Sequence, residues 1–516
     1  MNITTRNYIK LFFVIISLLL VYFVLQLIAN NFVKDVIANK VPPTIAISYS
    51  DVDTNIILGN VSLNNASLKI KSKEASQFHT LLTSEDIEIK GIGYWNLLFN
   101  NKISLTKINL KKPNVKYYPF NKVVSNKKET AQKSAMESLK IQEIQIVNGE
   151  LNIMKKSSET AKIAIPNFNL KIIGGKVDLD SSEQEFIFFD SYQLSAKKLK
   201  LDTNDYELIQ IEALDTQNKT LSIKGFEIKS KYDKIELSKH LKKERDYINL
   251  LIPEINIEKF DFNFSKEHLS LTSPTITILK PNLEIYRDKL LADDATTKLL
   301  YSNSLRKLSF GLQVDSIKIK EGSISYAELV DPTKKAGKIF FTQVNASVYS
   351  LSNLDKAKRT EIKINSKLMG ASPLSLNWSF DVNNKADYFS VNGSVKNLNA
   401  TALNPFFKPN LNALAEGVLQ EMNFNFSGNK INSKGEIKMK YDDFNFKILR
   451  KDSNKVNKLL TAIGNLFVKG DSKSNPTDFR YGNIEADRDA TKSFFNYLWI
   501  NLKSGMISTL TSDGEK

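Results

Sequence analysis

Two hydrophobic patterns divide the chain. Leu11 to Ala29 is a run of nineteen residues without charge, broken only by Ser17, Tyr22 and Gln26. At the helical rise it reaches about 29 Å, the thickness of a bilayer's hydrocarbon core. The run predicts one spanning helix, with Leu11, Phe12, Phe13, Leu20, Phe23 and Leu27 as its anchor residues. A cleaved signal sequence would have a shorter apolar core and a small-x-small site. Here the chain runs on through Asn30, Asn31 and Phe32 to Lys34. Arg6 and Lys10 precede the run and a smaller net excess follows it, so the positive-inside rule places the N-terminus in the cytoplasm and residues from about 35 onward outside it.

From Pro42 the period changes to two. Ile45-Ala-Ile47, Val61-Ser-Leu63, Ile87-Glu-Ile89, Ile108-Asn-Leu110 and Val115-Lys-Tyr117 alternate apolar with polar, as half-buried strands do. The same alternation returns over 141–228, 255–285 and 317–448. Helices are expected at Tyr94–Phe99, from Asp233 as a cap to Ile248, over 289–307, and at Leu411–Ala415, while 127–139 reads as a linker or a peripheral helix. Between Asp487 and Leu510, the residues Phe495, Leu498, Trp499, Leu502 and Met506 recur at helical spacing and predict a closing amphipathic helix. Asp487 and Asp489 suit its start, where the helix dipole favours negative charge.

The chain also echoes itself. Lys112-Pro-Asn-Val-Lys-Tyr-Tyr118 matches Lys280-Pro-Asn-Leu-Glu-Ile-Tyr286, and Ile144-Gln-Ile-Val-Asn-Gly-Glu-Leu-Asn-Ile153 matches Ile317-Lys-Ile-Lys-Glu-Gly-Ser-Ile-Ser-Tyr326. Two matches in one order at nearly one offset point to an internal duplication rather than to chance similarity of strand-turn-strand units.

Composition narrows the chemistry. Cysteine is absent, which excludes a disulfide-stapled module and leaves core burial to hold the body. The formal charge is +16, but the lysines are scattered among Asn and Ile without an arginine cluster or a basic helical stripe. The charge therefore reflects composition, with attraction to anionic lipid headgroups as the second reading, and no nucleic-acid partner is expected. His79, His240 and His268 lie far apart, and no Gly-x-Ser-x-Gly or phosphate-binding loop occurs. Acidic pairs such as Asp442 with Asp443 read as turns. No catalytic, metal or cofactor site is expected.

What remains is an apolar face on a long β chain, which a second sheet, helices or a ligand must cover. The alternation is cleanest at Met422, Phe424 and Phe426, at Ile437 and Met439, and at Phe444, Phe446 and Ile448. These eight are the candidate lining of a lipid groove; the competing reading is a closed sandwich core.

In the order of its parts the sequence resembles the AsmA-like proteins of the AsmA/TamB superfamily. The likeness rests on the N-terminal apolar helix, on the unit Ile87–Tyr118 ending in Lys112-Pro113-Asn114, and on Leu403-Asn-Pro405, Gly417, Ser427-Gly-Asn429 and Gly435 leading to Tyr441-Asp-Asp443. The tail from Arg488-Asp489 through Phe494-Phe495, Tyr497 and Trp499 to Gly505 completes it. The resemblance implies an elongated, curled, mainly antiparallel β-groove held in the bacterial inner membrane with its body in the periplasm. It would act in phospholipid transport or outer-membrane lipid homeostasis, with phospholipid and an envelope protein as partners. The alternative is a non-catalytic scaffold for outer-membrane protein assembly. Four regions are expected: a cytoplasmic tip and anchor over 1–34, β-groove regions over 35–230 and 231–398, the second a duplicate of the first, and a C-terminal β region over 399–516.

Overall fold

The computed structural model describes residues 3–511 except 40–43, 72–77, 100–101, 120–137, 157, 179–186, 218, 265–268, 355–356, 450–471 and 473–477. Strands account for 61% and helices for 16%, so the molecule is mainly β, with one large mixed sheet of 24 strands, as the period-two pattern predicts. The chain divides into two compact units, residues 1–203 with 211–218, and residues 204–210 with 219–516.

In the first unit, helix α1 (Ile3–Asn39) is followed by β1 (Ile45–Ser48) and β2 (Asp51–Asn55), which both pair antiparallel with β3 (Asn60–Ile70). Next comes β4 (Thr80–Lys90), then the predicted short helix α2 (Tyr94–Phe99). Strands β5 (Lys102–Lys111) and β6 (Asn114–Tyr117) both pair antiparallel with β4 and parallel with β7 (Ser138–Met154). The antiparallel order continues from β7 to β8 (Ala161–Asp178), which is flanked by β9 (Ile187–Phe188) and β10 (Ser191–Asp202); β11 spans Glu207–Gln217. The linker or peripheral helix expected over 127–139 lies outside the described residues up to 137, and Ser138 and Leu139 already belong to β7.

The second unit begins with β12 (Thr220–Ser230) and helix α3 (Lys234–His240). Asp233 caps α3 by accepting the Glu236 amide at 2.8 Å, as predicted, but the helix stops well before Ile248 and Asp246 opens β13 (Asp246–Glu258). After β14 (Asp261–Phe264), strands β15 (Leu269–Leu279) and β16 (Asn282–Asp288) pair antiparallel with β13 and parallel with β17 (Gly311–Leu329). The helix expected over 289–307 is only α4 (Tyr301–Arg306). Asp288 and Asp294 instead accept the amides of Leu290 and Thr296, turns that compete with a helix. Successive antiparallel strands follow: β18 (Gly337–Ser352), β19 (Thr360–Leu368), β20 (Ser372–Phe380) and β21 (Phe389–Asn399). Helix α5 (Asn404–Leu411) lies ahead of its expected place, because Asn412 at φ 52 ends it and Ala413 opens β22 (Ala413–Gly428). Then come β23 (Asn432–Ile448), β24 (Arg480–Asp487) and the closing helix α6 (Phe494–Thr511).

The two matched sequence stretches fold alike. Lys112 and Lys280 have φ of 46 and 49, and each precedes a proline, which disfavours the right-handed helical region and supplies no donor. Each break splits one strand into the pairs β5/β6 and β15/β16. The carbonyls of Pro113 and Pro281 accept the amides of Glu150 and Ser323 at 2.7 and 2.8 Å. Asn148 and Glu321, both at φ 54, donate their amides to the side-chain oxygens of Asn169 and Asn345.

The largest core lies in the second unit. Val391, Phe426, Ile437 and Ile484 are at most 1% exposed, and Phe389, Phe424, Met439 and Tyr441 join them beneath α6. The buried face of α6 is Phe494, Tyr497, Asn501, Gly505 and Thr509, while Phe495 and Ile507 are exposed. Leu498, Leu502 and Met506 flank the core, so the helix is turned by about one residue from the predicted stripe. Close approach explains this: a Cβ on Gly505 would lie 2.7 Å from Ile484 and 2.8 Å from Ile437, and one on Gly482 would lie 2.5 Å from the Thr509 amide. The helix seats where its smallest residue meets the sheet.

Candidate functional site

Register places apolar side chains in unbroken rows across the strands. In the first unit Val52, Leu63, Ile87, Leu110, Ile146, Leu170 and Leu194 are successive cross-strand partners on β2, β3, β4, β5, β7, β8 and β10. Residues two apart on a strand share a face, so Ile89, Ile108, Ile144 and Ile172 form a second row beside it. At strand spacing the longer row runs about 29 Å. Val52 and Leu63 are buried in a small cluster with Ala66, against which Val33 and Ile37 of α1 pack. Further along, Ile87, Leu110, Ile146, Leu170 and Leu194 are only partly buried.

The second unit repeats the pattern. Ile223, Ile255, Ile278, Ile319, Ala346, Ile364, Leu376, Gly393, Phe424 and Ile437 are successive partners from β12 to β23. Its early members, Ile223, Ile255, Ile278 and Ile319, are partly buried like those of the first unit, whereas Phe424 and Ile437 are enclosed. The row passes from an open face into a dry core. Trp378 stacks on Phe494 at 4.6 Å where α6 covers the sheet.

The structure thus encloses five of the eight positions singled out in the sequence. Met422, Phe424, Phe426, Ile437 and Met439 are 1–6% exposed inside the closed cluster, and Phe444 packs against it. Ile448 is half-buried opposite Ala413, and Phe446 pairs with Ala415. Of the anchor positions, Leu20, Phe23 and Leu27 are exposed on α1 and Leu11, Phe12 and Phe13 lie on the same helix. From Leu19 to Asn39 that helix is long and apolar enough to cross a membrane. Sequence reasoning missed the isoleucine and leucine rows of the first unit, although their period-two signal is the same.

The opposite face is charged and orders itself by pairing. Lys107 and Lys171 hold Glu143 between them at 2.8 and 3.1 Å, and their hydrogen bonds keep its carboxyl below the ordinary range. Glu88 is held down at about 2, chiefly by the Asn109 amide and then, against the cost of burial, by Lys90 and Lys111. A trough of about 570 Å³ opens over β7, β8, β10 and β11. Its lining takes three successive residues from each strand: Gln145, Ile146 and Val147; Asn169, Leu170 and Lys171; Gln193, Leu194 and Ser195; and Asp215, Thr216 and Gln217. Ile146, Leu170 and Leu194 of the apolar row therefore border the trough together with their polar neighbours. Among the described residues no cluster of three or more His, Asp or Glu side chains is placed to hold a metal.

No protein-family profile matches the chain, and no curated protein matches it.

Proposed function

We propose that the chain is a single-pass, inner-membrane-anchored AsmA-like protein whose apolar sheet face carries the acyl chains of phospholipids. It serves phospholipid transport or outer-membrane lipid homeostasis from the periplasmic side and performs no covalent catalysis. One observation carries the reading: the row that starts at Val52 and Leu63, buried against α1, stays apolar through Leu194, and from Ile87 onward its side chains are only partly buried. An apolar face of this length left to water is costly at about 25 cal/mol per Å², and an acyl chain laid along it would remove that cost.

Native mass spectrometry of the full chain purified in detergent tests the reading. Phospholipid should co-purify, and Ile146→Asp and Leu170→Asp should lose it while keeping the thermal midpoint, because a half-exposed charge stays hydrated. A lipid-free chain, or variants that retain their lipid, would refute it. A periplasm-active reporter fused after Lys516 should work; activity from a cytoplasmic reporter alone would reverse the topology.

The closed cluster beneath α6 favours a second reading, a dry scaffold that assists outer-membrane protein assembly through a partner. Absence of lipid together with a stable fold would support it.

A further inference from the structure

Gln26 interrupts the C-terminal half of the apolar run, and the structure gives it a specific task. Its Nε2 donates to Thr54 Oγ1 at 2.9 Å, its Oε1 accepts the Ile56 amide at 3.4 Å, and Thr54 Oγ1 donates to Asn30 Oδ1 at 2.5 Å. The contacts fix a direction. The cluster around Val52 meets α1 at Val33 and Ile37, Thr54 meets it at Asn30 and Gln26, and Ile56 meets it at Gln26. Strand β2 therefore runs back along α1 toward the apolar run. Gln26 lies three residues, about 4.5 Å, inside the end of that run at Ala29.

The turn that follows is built for an apolar medium. Ile57 and Leu58 are 76% and 60% exposed, although a turn between two strands ordinarily carries polar residues. Two of its amides are satisfied within the turn: Leu58 donates to Asn55 Oδ1 and Gly59 to the Ile56 carbonyl. Helix α2 lies alongside, its Tyr94 hydroxyl donating to the Ile56 carbonyl at 3.0 Å, and Tyr94 and Phe99 are exposed as well. Outward aliphatic tips with flanking aromatic rings are features of protein set at the acyl-headgroup boundary, where water still reaches the remaining backbone groups.

We propose that the turn Ile56–Gly59 and helix α2 are immersed in the same bilayer leaflet as the C-terminal end of α1, so that the sheet begins inside the membrane. The partner is the lipid leaflet itself. The inference rests on the reading of α1 as a spanning helix. It adds that the apolar row beginning at Val52 starts within reach of lipid tails instead of above the headgroups.

The absence of cysteine makes the test direct. Single variants Phe23→Cys, Leu58→Cys and Lys69→Cys of the full chain all replace exposed side chains. Each would carry a nitrobenzoxadiazole label in vesicles of phosphatidylethanolamine and phosphatidylglycerol. Lys69 lies toward the far end of β3, about 30 Å from the turn. Doxyl-labelled phospholipid should remove emission from the Phe23 and Leu58 labels and iodide should not, with the reverse at Lys69. A Leu58 label that behaves like Lys69 while Phe23 remains lipid-quenched would overturn the immersed turn alone. A Phe23 label quenched only by iodide would overturn the spanning helix, and the inference with it.

Discussion

Lys112 and Lys280 are structural equivalents: both stand at positive φ before a proline, and each donates its amide at 2.8 Å to a carbonyl of the parallel strand, Val147 in one unit and Lys320 in the other. In each case the chain breaks one long strand into two without leaving the sheet. The same device in both units, with asparagine amide-oxygen clamps at Asn169 and Asn345, gives the sequence echo a geometric content.

A lysine at positive φ stores backbone strain of about 1 kcal/mol that glycine would not. The Lys280–Glu321 pair at 3.6 Å is too exposed to offset it. Lys280→Gly should therefore raise the thermal midpoint slightly and Lys280→Val should lower it, measured by circular dichroism on the detergent-solubilised chain. Equal midpoints for both variants would show that the strain is absent.

Phe424→Asp and Met439→Asp should each unfold the C-terminal core. Their side chains lie 5% and 2% exposed in a closed cluster, so the new carboxylate would be buried without a partner, at a cost of several kcal/mol. Had these residues lined an open groove, both variants would keep their midpoint. Scanning calorimetry decides between the two outcomes.

The alternation that marked the strands could not separate these cases. Phe424 and Ile146 obey the same period-two rule, and what differs is the layer above them. That layer is α6, whose seat depends on Gly505 meeting Ile484, a contact between residues with no shared sequence signature. The 289–307 and 411–415 helices misled for a related reason: Asp288, Asp294 and Asn412 impose turns locally, and polar side chains at such positions outweigh intrinsic propensity. The N-terminal apolar helix, the strands, the Asp233 cap and the Lys-Pro-Asn breaks were legible because each is encoded within a few neighbouring residues.

Gly505→Ala should destabilise the closing helix by about 1–3 kcal/mol, since the added methyl must displace Ile437 and Ile484. Thr511→Ala, on the same helix but exposed, serves as the control. Limited proteolysis would read the difference as faster cleavage within 494–511 in the Gly505 variant only.

Acid should loosen the second unit through Glu244. Burial pushes its carboxyl up, but hydrogen bonds from Lys289 at 2.5 Å and Lys492 at 3.0 Å outweigh burial and leave it below the ordinary 4.5. A depressed folded-state value means that its stabilisation is complete above about pH 4.5 and is lost as the pH falls through the folded-state value. Glu244→Gln should lower the midpoint at pH 7 and flatten the midpoint's decline below pH 4.5. An unchanged acid profile in that variant would remove Glu244 from the account.

Lys492 and Glu244 are 248 residues apart in the chain, and Arg488 donates to the Lys298 carbonyl across 190. Most strands, by contrast, pair with the strand next to them in sequence. Loop-closure entropy makes the distant contacts slow to form and the neighbouring ones quick. A chain emerging N-terminus first can therefore zip its ribbon of strands progressively, holding apolar edges open for as long as synthesis lasts. Only when α6 arrives can the core beneath it lock, which makes the eighteen residues of that helix a timing element: they set when folding finishes.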